Sequence, residues 1–343
     1  LRDSSGRLLS PFAVDPDDPT IRTVWEDLAE LDLENPSVSD ELLAYWNRYV
    51  GRLQELGVKG FRCDAAYKVP PRIWRDLISA AKTRDPECCF VAETLGCTLD
   101  EAKATAGAGF DFLFNSFAWW DLYKPWALAQ YEQLRTIAPS IAFPENHDMP
   151  RAAAALSGDP DAIADALKAR YALAAFFSSG ILMPIGYEWG YRRSLHVVNT
   201  TPGDREMTGT DISDFIGAVN ARRSELAPLN REGAQWALTA QDSRLVALLR
   251  LDSGHVEGAQ SATLVLANPT SSVLEIEPAH LISRTVGLFG AFEDRTPDRT
   301  PLAFASGSLV TLEPHDVRIF LARRAVPAKR RPALASSMAP GES

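Results

Sequence analysis

The sequence predicts an α/β fold: a (β/α)8 TIM barrel of which only about strands 4 to 8 are present, followed by a C-terminal antiparallel β-sandwich. Three observations predict it. Between residues 38 and 226, helical patterns alternate with short apolar runs, the mark of βα units on a parallel sheet. After about Pro228 the pattern changes to short strands separated by turn residues, as in a small sandwich. A closed barrel needs eight strands and typically about 250 residues, whereas five strand–helix pairs are visible here.

Residues 1–37 read as loop. A helix from about Val38 to Leu56 has Ser37 or Ser39 as its expected N-cap and Gly57 as its stop. The strands VKGFRCD, CCFVAET, FDFLFNS, SIAFPENHD and ILMPIGYE follow. They alternate with helices in PRIWRDLISAAKT, LDEAKATA, WWDLYKPWALAQYEQLRTI, DPDAIADALKARYALAAFFSS and TDISDFIGAVNARRSELA. The barrel segment therefore covers residues 38–228. The sandwich, residues 229–324, is drawn from SRLVALLRLD, ATLVLANP, SVLEIEP, RTVGLFG and GSLVTLEPHDVRIFLARR. The tail, residues 325–343, is rich in Pro, Ala and Ser and reads as disordered.

Composition narrows the function. With 46% hydrophobic and 23% charged residues the chain is ordinary for a globular protein, and its net charge of −10 argues against nucleic acid or an anionic membrane surface as partner. No apolar run approaches the roughly 18 residues of a membrane span. Cys63, Cys88, Cys89 and Cys97 lack the paired spacing of a zinc site and read as reduced, mostly buried thiols of a cytoplasmic protein. No metal and no cofactor is expected.

In a parallel barrel the C-terminal strand ends open on one face, so polar groups there converge from distant parts of the chain. Asp64, Glu93 and Asp148 each end an apolar strand. Arg62, two residues before Asp64 in an extended strand, points to the same side and should keep that carboxylate charged. Glu93, among Val91, Ala92 and Leu95, sits in apolar company that should raise its pKa. One ionised carboxylate and one protonated carboxyl are what retaining cleavage of a glycosidic bond requires. Taken singly, an Arg-x-Asp is an ordinary ion pair and an Asn-His-Asp an ordinary turn; the ordered combination carries the signal.

These residues resemble the α-amylase superfamily, glycoside hydrolase family 13. GFRCDAA is similar to that family's second conserved region, FVAET to its third, FPENHDMPR to its fourth, and GILMPIGYEWG to its eighth-strand segment. LAELDLENP resembles the loop before the helix that precedes the fourth strand. The resemblance implies Asp64 as nucleophile, Glu93 as acid/base and Asp148 as transition-state stabiliser, with Arg62, Asn146 and His147 as substrate ligands. It also implies an α-glucan or malto-oligosaccharide substrate. The family's first region, with its calcium-binding residue, does not occur in these 343 residues, so the chain is expected to hold only part of the barrel and to be inactive alone. Tyr67 and Lys68 stand where typical α-amylases carry Lys-His, which puts the usual acceptor contacts and calcium link in doubt.

AETLGC and FNSFAWWDLY suggest an intracellular, maltosyltransferase-like branch, with Lys68 and Lys124 as candidate acceptor or phosphate contacts. Trp119 and Trp120 are candidates for a sugar-stacking platform, with burial in the barrel-to-helix interface as the equal alternative. The leading expectation is α-amylase-like hydrolysis of α-1,4-glucosidic bonds. The alternatives are maltosyl transfer involving phosphate and a non-catalytic amylase-like binding protein.

Overall fold

The computed structural model describes residues 1–14, 18, 20–122, 124–239, 244–283, 289–305 and 307–325. The expected disordered tail beyond residue 325 and most of the expected RTVGLFG strand lie outside the described residues.

Residues 1–37 are not all loop. Strand β1 (Phe12–Val14) pairs antiparallel with β2 (Arg22–Val24), Ala13 opposite Thr23. Strands of three residues are too short to leave an alternating pattern. Helix α1 (Pro36–Glu55) begins two residues earlier than expected, because Asn35 is the cap: its side chain accepts from the Ser37 backbone N–H at 3.1 Å, and Pro36 takes the first helical position.

The βα units follow as β3 (Gly60–Cys63), α2 (Pro71–Arg84), β4 (Cys89–Ala92), α3 (Leu99–Ala106), β5 (Phe112–Phe114), α4 (Pro125–Arg135), β6 (Ser140–Ala142), α5 (Pro160–Phe177), β7 (Gly180–Ile181) and α6 (Ser213–Glu225). The five strands form one parallel sheet in the order β3-β4-β5-β6-β7. Two faces separate cleanly. Phe90, Ala92, Leu113 and Ala142 are buried beneath the helices, whereas Val91, Phe112 and Ile141 are only half-buried on the other face, which Arg62 shares through its register with Val91. Gly180 lies beside Ile141, where a Cβ would come within 2.4 Å of Ile141 Cγ1, so no larger residue fits.

The rest of the chain is antiparallel. Strands β8 (Gln235–Ala237), β9 (Val246–Leu251), β10 (Ser261–Ala267), β11 (Leu274–Ile276), helix α7 (Pro278–Ser283), β12 (Phe292–Asp294), β13 (Ala303–Phe304), β14 (Val310–Leu312) and β15 (Val317–Arg323) follow in order. Six of them form a sheet in the order β13-β12-β15-β10-β9-β8, and β11 pairs with β14. Every residue of β9 is buried because that sheet is covered on both sides. Val246, Leu248, Val265 and Ile319 pack with Phe176 and Phe177 of α5; Ala247, Leu249, Leu264 and Phe320 pack with Leu274 and Leu312. No helix among the described residues is long and apolar enough to cross a membrane.

A polar cluster joins the two sheets at the N-terminal end of β7. Arg250, on the β9 face that looks toward α5, is almost fully buried. Its guanidinium donates to the carbonyl of Phe177, to that of Arg231 at 2.5 Å and to Ser179 Oγ at 3.0 Å. Its counter-ion, Glu232, lies 3.7 Å away and accepts from Ser140 and Ser179 hydroxyls. Breaking a buried pair leaves an uncompensated charge, at a cost of about 3–5 kcal/mol. Arg250→Ala should therefore lower the unfolding free energy by about that amount in urea titration; a loss within about 0.5 kcal/mol, as at a surface position, would contradict this role.

Candidate active site

Asp64 and Glu93 follow directly on β3 and β4, whereas the strand expected to end at Asp148 stops at Ala142 and Asp148 lies in the loop beyond β6. Parallel register sets the first two side by side: Cys63 pairs with Ala92, and the Glu93 N–H donates to the Cys63 carbonyl at 2.9 Å. Asp64 and Glu93 therefore follow the same level of two neighbouring strands. Arg62 Nη1 holds Asp64 Oδ1 at 2.6 Å, the ion pair expected of Arg-x-Asp. Its guanidinium also stands 5.9 Å from the Phe114 ring of β5.

Glu93 is buried, and both of its oxygens are occupied. Oε2 accepts from the Ala65 N–H at 2.9 Å and Oε1 from the Leu95 N–H at 2.5 Å. Burial is the largest influence on its carboxyl and pushes the pKa up; the two N–H bonds and the Arg62 charge oppose that shift, and Asp64 adds to it. The rise agrees with the apolar setting read from the sequence. Ala65 adopts a left-handed conformation, φ 40°, which a non-glycine residue adopts at a cost of roughly 1–3 kcal/mol. That turn aims its N–H at Glu93 and leads into Ala66–Lys68, a single 3-10 turn.

Asp148 lies within the loop that runs from β6 to a 3-10 turn at Ala152–Ala155. His147 Nε2 lies 3.2 Å from Asp148 Oδ2. Asn146 is buried, and its Oδ1 accepts from the Asp148 N–H at 3.0 Å, so this expected substrate ligand is engaged in holding the loop. Tyr67 is half-buried and its phenol is pushed up to about 12, by burial first and by the Glu93 charge second. Lys68 Nζ stands 5.4 Å from the Tyr67 ring and 5.8 Å from the Phe12 ring of β1, so the hairpin reaches this end of the sheet.

The two tryptophans part company. Trp119 is 51% exposed, with its ring edge-on to Phe143 at 5.6 Å, whereas Trp120 is 8% exposed and packs on Phe177 at 5.5 Å. Neighbours on a tight turn point different ways, so Trp120 is core and leaves the list of substrate residues. A line of contacts from the Arg62 guanidinium to the Phe114, Phe143 and Trp119 rings runs from β3 to the loops after β6 and β5.

Sequence reasoning missed the brace under Asp148. Glu145 and Arg151 form an ion pair at 2.6 Å, each side chain 2% exposed. Glu145 also accepts from the Ala152 N–H at 2.6 Å, and Arg151 donates to the Ile185 carbonyl at 2.8 Å beyond β7. The signal was present as an acid and an arginine six residues apart around NHD. The cysteines also differ from expectation: all four are free, but Cys89 and Cys97 are only half-buried. Burial raises the Cys63 and Cys97 thiols to about 12. Among the described residues no three His, Cys, Asp or Glu side chains gather as metal ligands.

A raised carboxyl favours the protonated form on folding. That contribution is present below the ordinary carboxylate pKa and is lost as pH rises through the folded value. The unfolding free energy of the parent relative to Glu93→Gln should therefore be greater at about pH 4 than at about pH 7 in urea titrations. A difference that is flat, or that grows toward neutral pH, would contradict the raised value.

No family model matches the chain. The α-1,4-glucan:maltose-1-phosphate maltosyltransferase of Burkholderia pseudomallei is 27% identical over 314 residues, 88% of this chain and 28% of that protein. The chain thus spans little more than a quarter of this curated relative's length. Among solved structures, the α-amylase of Geobacillus thermoleovorans complexed with acarbose superposes with TM-score 0.64 at 17% identity, covering 87% of this chain and 67% of that one. A maltogenic α-amylase of Thermotoga neapolitana superposes with TM-score 0.63 at 18% identity, covering 95% and 72%. The chain shares the fold of the α-amylases and, over most of its length, is similar in sequence to that maltosyltransferase.

Proposed function

We propose that this chain carries the catalytic acids of a retaining α-glucan-active enzyme that works through a covalent glycosyl-enzyme intermediate. The observation that carries the reading is the pairing at adjacent strand ends of an arginine-bound carboxylate, Asp64, with a buried carboxyl of raised pKa, Glu93. In this reading β3 to β7 correspond to strands 4 to 8 of the barrel. Residues 38–228 are then the catalytic segment and 229–324 an accessory sandwich. Four free thiols favour a reducing, cytoplasmic setting.

Glu93 gives its proton to the leaving glycosidic oxygen as the C1–O bond breaks, and an Asp64 oxygen bonds to C1. An acceptor then gives its proton to Glu93 and displaces Asp64, restoring the starting configuration. Asp148, beside His147, stabilises the positive charge that develops at C1. Each Glu93 oxygen accepts one backbone N–H bond, which fixes the carboxyl and leaves a second lone-pair site on either oxygen for the proton it donates. Similarity to the maltosyltransferase over 88% of the chain favours a maltosyl unit as the group transferred, with phosphate or a glucan end as partner, over simple hydrolysis.

Incubating the longest available form of the protein with maltoheptaose, with and without inorganic phosphate, and reading products by proton NMR tests this. The expected result is α-configured products throughout, with a maltosyl phosphate only where phosphate is present. Free sugars alone in both tubes would favour hydrolysis. Asp64→Ala should reduce turnover by about 10⁴-fold or more. A β-configured first product, or full activity in Asp64→Ala, would overturn the mechanism.

A further inference from the structure

The loop that carries Asp148 is buried at both feet and exposed between them. Phe143 to Asn146 form one foot and Arg151 to Ala153 the other, with Asp148 on the tip. Glu145 closes the two feet together, since its carboxylate accepts from Arg151 Nη1 at 2.6 Å and from the Ala152 N–H at 2.6 Å. Each foot is then fastened to a different part of the fold. Arg170 of α5 holds the first: its Nε donates to the Pro144 carbonyl at 2.6 Å, and its Nη2 to the Ala118 carbonyl in the loop after β5 at 3.3 Å. Arg151 holds the second, donating from Nη2 to the Ile185 carbonyl at 2.8 Å and from Nε to the Arg193 carbonyl at 3.3 Å. All three nitrogens of the Arg151 guanidinium are thus engaged, each with a different point of the chain.

A buried ion pair is a poor device for stability alone, because desolvation offsets much of the attraction and apolar residues of like volume often serve as well. What directional bonds add is position. Asp148 is exposed, with His147 Nε2 3.2 Å from its carboxylate, so its distance from Asp64 and Glu93 is set by the backbone beneath it rather than by packing. The attraction between a carboxylate and a developing positive charge falls with their separation, and a misplacement of about 1 Å can cost roughly 10²-fold in rate. Lysine would keep the charge of Arg151 but not its planar fork, and so could not hold Glu145 and both carbonyls in the same geometry.

We propose that Arg151 is a positioning residue that acts through Glu145 to fix Asp148 against the carbon where positive charge develops, and so governs kcat rather than substrate affinity. The proposal rests on the retaining reading above, in which Asp148 stabilises that charge. Initial rates on maltoheptaose with inorganic phosphate test it in the longest available form of the protein, comparing the parent, Arg151→Lys, Asp148→Asn and the double variant, each checked by a melting curve. The expected result is a kcat about 10²-fold lower in Arg151→Lys, with KM within about threefold of the parent. Asp148→Asn should lose about 10³-fold, and adding Arg151→Lys to it should remove less than about threefold more, because the second change acts only through the first residue. Glu145→Gln, which keeps the shape of the pair without its charge, goes through the same cycle and should show the same split with a loss of about tenfold, whether or not Arg151→Lys folds. A parental kcat in a folded brace variant, a change confined to KM, or losses that multiply in the double variants would overturn this role and leave the catalytic reading standing. Parental activity in Asp148→Asn, or no turnover by the folded parent, would overturn both.

Discussion

The parallel register of β3 on β4 is the constraint on which the candidate site depends. With Cys63 opposite Ala92, the side chains that follow by two residues, Asp64 after Arg62 and Glu93 after Val91, emerge on one face at one level. A slip of a single residue would turn one of the acids toward the helices. Two bonds beyond the ladder hold this register. The Ala66 N–H reaches the Glu93 carbonyl at 3.0 Å, and the Ala65 N–H reaches the Glu93 carboxylate at 2.9 Å. The strained backbone of Ala65 thus serves geometry: its left-handed turn brings a donor to the acid at the next strand end.

The fold divides its tasks between the two ends of the parallel sheet. At the N-terminal end, Arg250, Glu232, Ser140 and Ser179 fasten the antiparallel sheet to β6 and β7. At the C-terminal end the acids sit on loops braced by separate contacts, Glu145 to Arg151 below Asp148 and Arg62 to Phe114 beside Asp64. Such separation lets loops at the C-terminal end vary without undoing the packing. The buried brace also reaches the connection after β7.

Much of this was legible in the sequence because apolar runs and strand ends are local signals. GFRCD and FVAET place their acids directly after a strand as expected, whereas the expected strand SIAFPENHD ends at Ala142 and leaves Asp148 in the loop beyond it; the ion pair of Arg62 with Asp64 follows from two-residue spacing alone. The run VALLRL reads as a strand, but its lack of alternation reflects burial on both faces, by α5 on one side and by β11 and β14 on the other. The hairpin at Phe12–Val14 and the short strands β8, β12 and β13 were missed, since two or three residues carry no period. The different fates of Trp119 and Trp120, and the use of Asn146 to hold its own loop, depend on tertiary packing that adjacency in sequence does not encode. The Glu145–Arg151 brace was written in the chain, yet only its burial tells it from a surface pair.

The central claim is that Asp64 is the nucleophile. The most direct measurement is to treat the Glu93→Gln variant of the longest available form of the protein with α-maltosyl fluoride, whose leaving group needs no acid, and to map the adduct by peptide mass spectrometry. Without the base that activates the acceptor, a maltosyl ester should accumulate on the peptide containing Asp64 and be absent when Asp64→Ala is added. An adduct on another residue, or none from a folded protein that consumes the fluoride, would contradict the account.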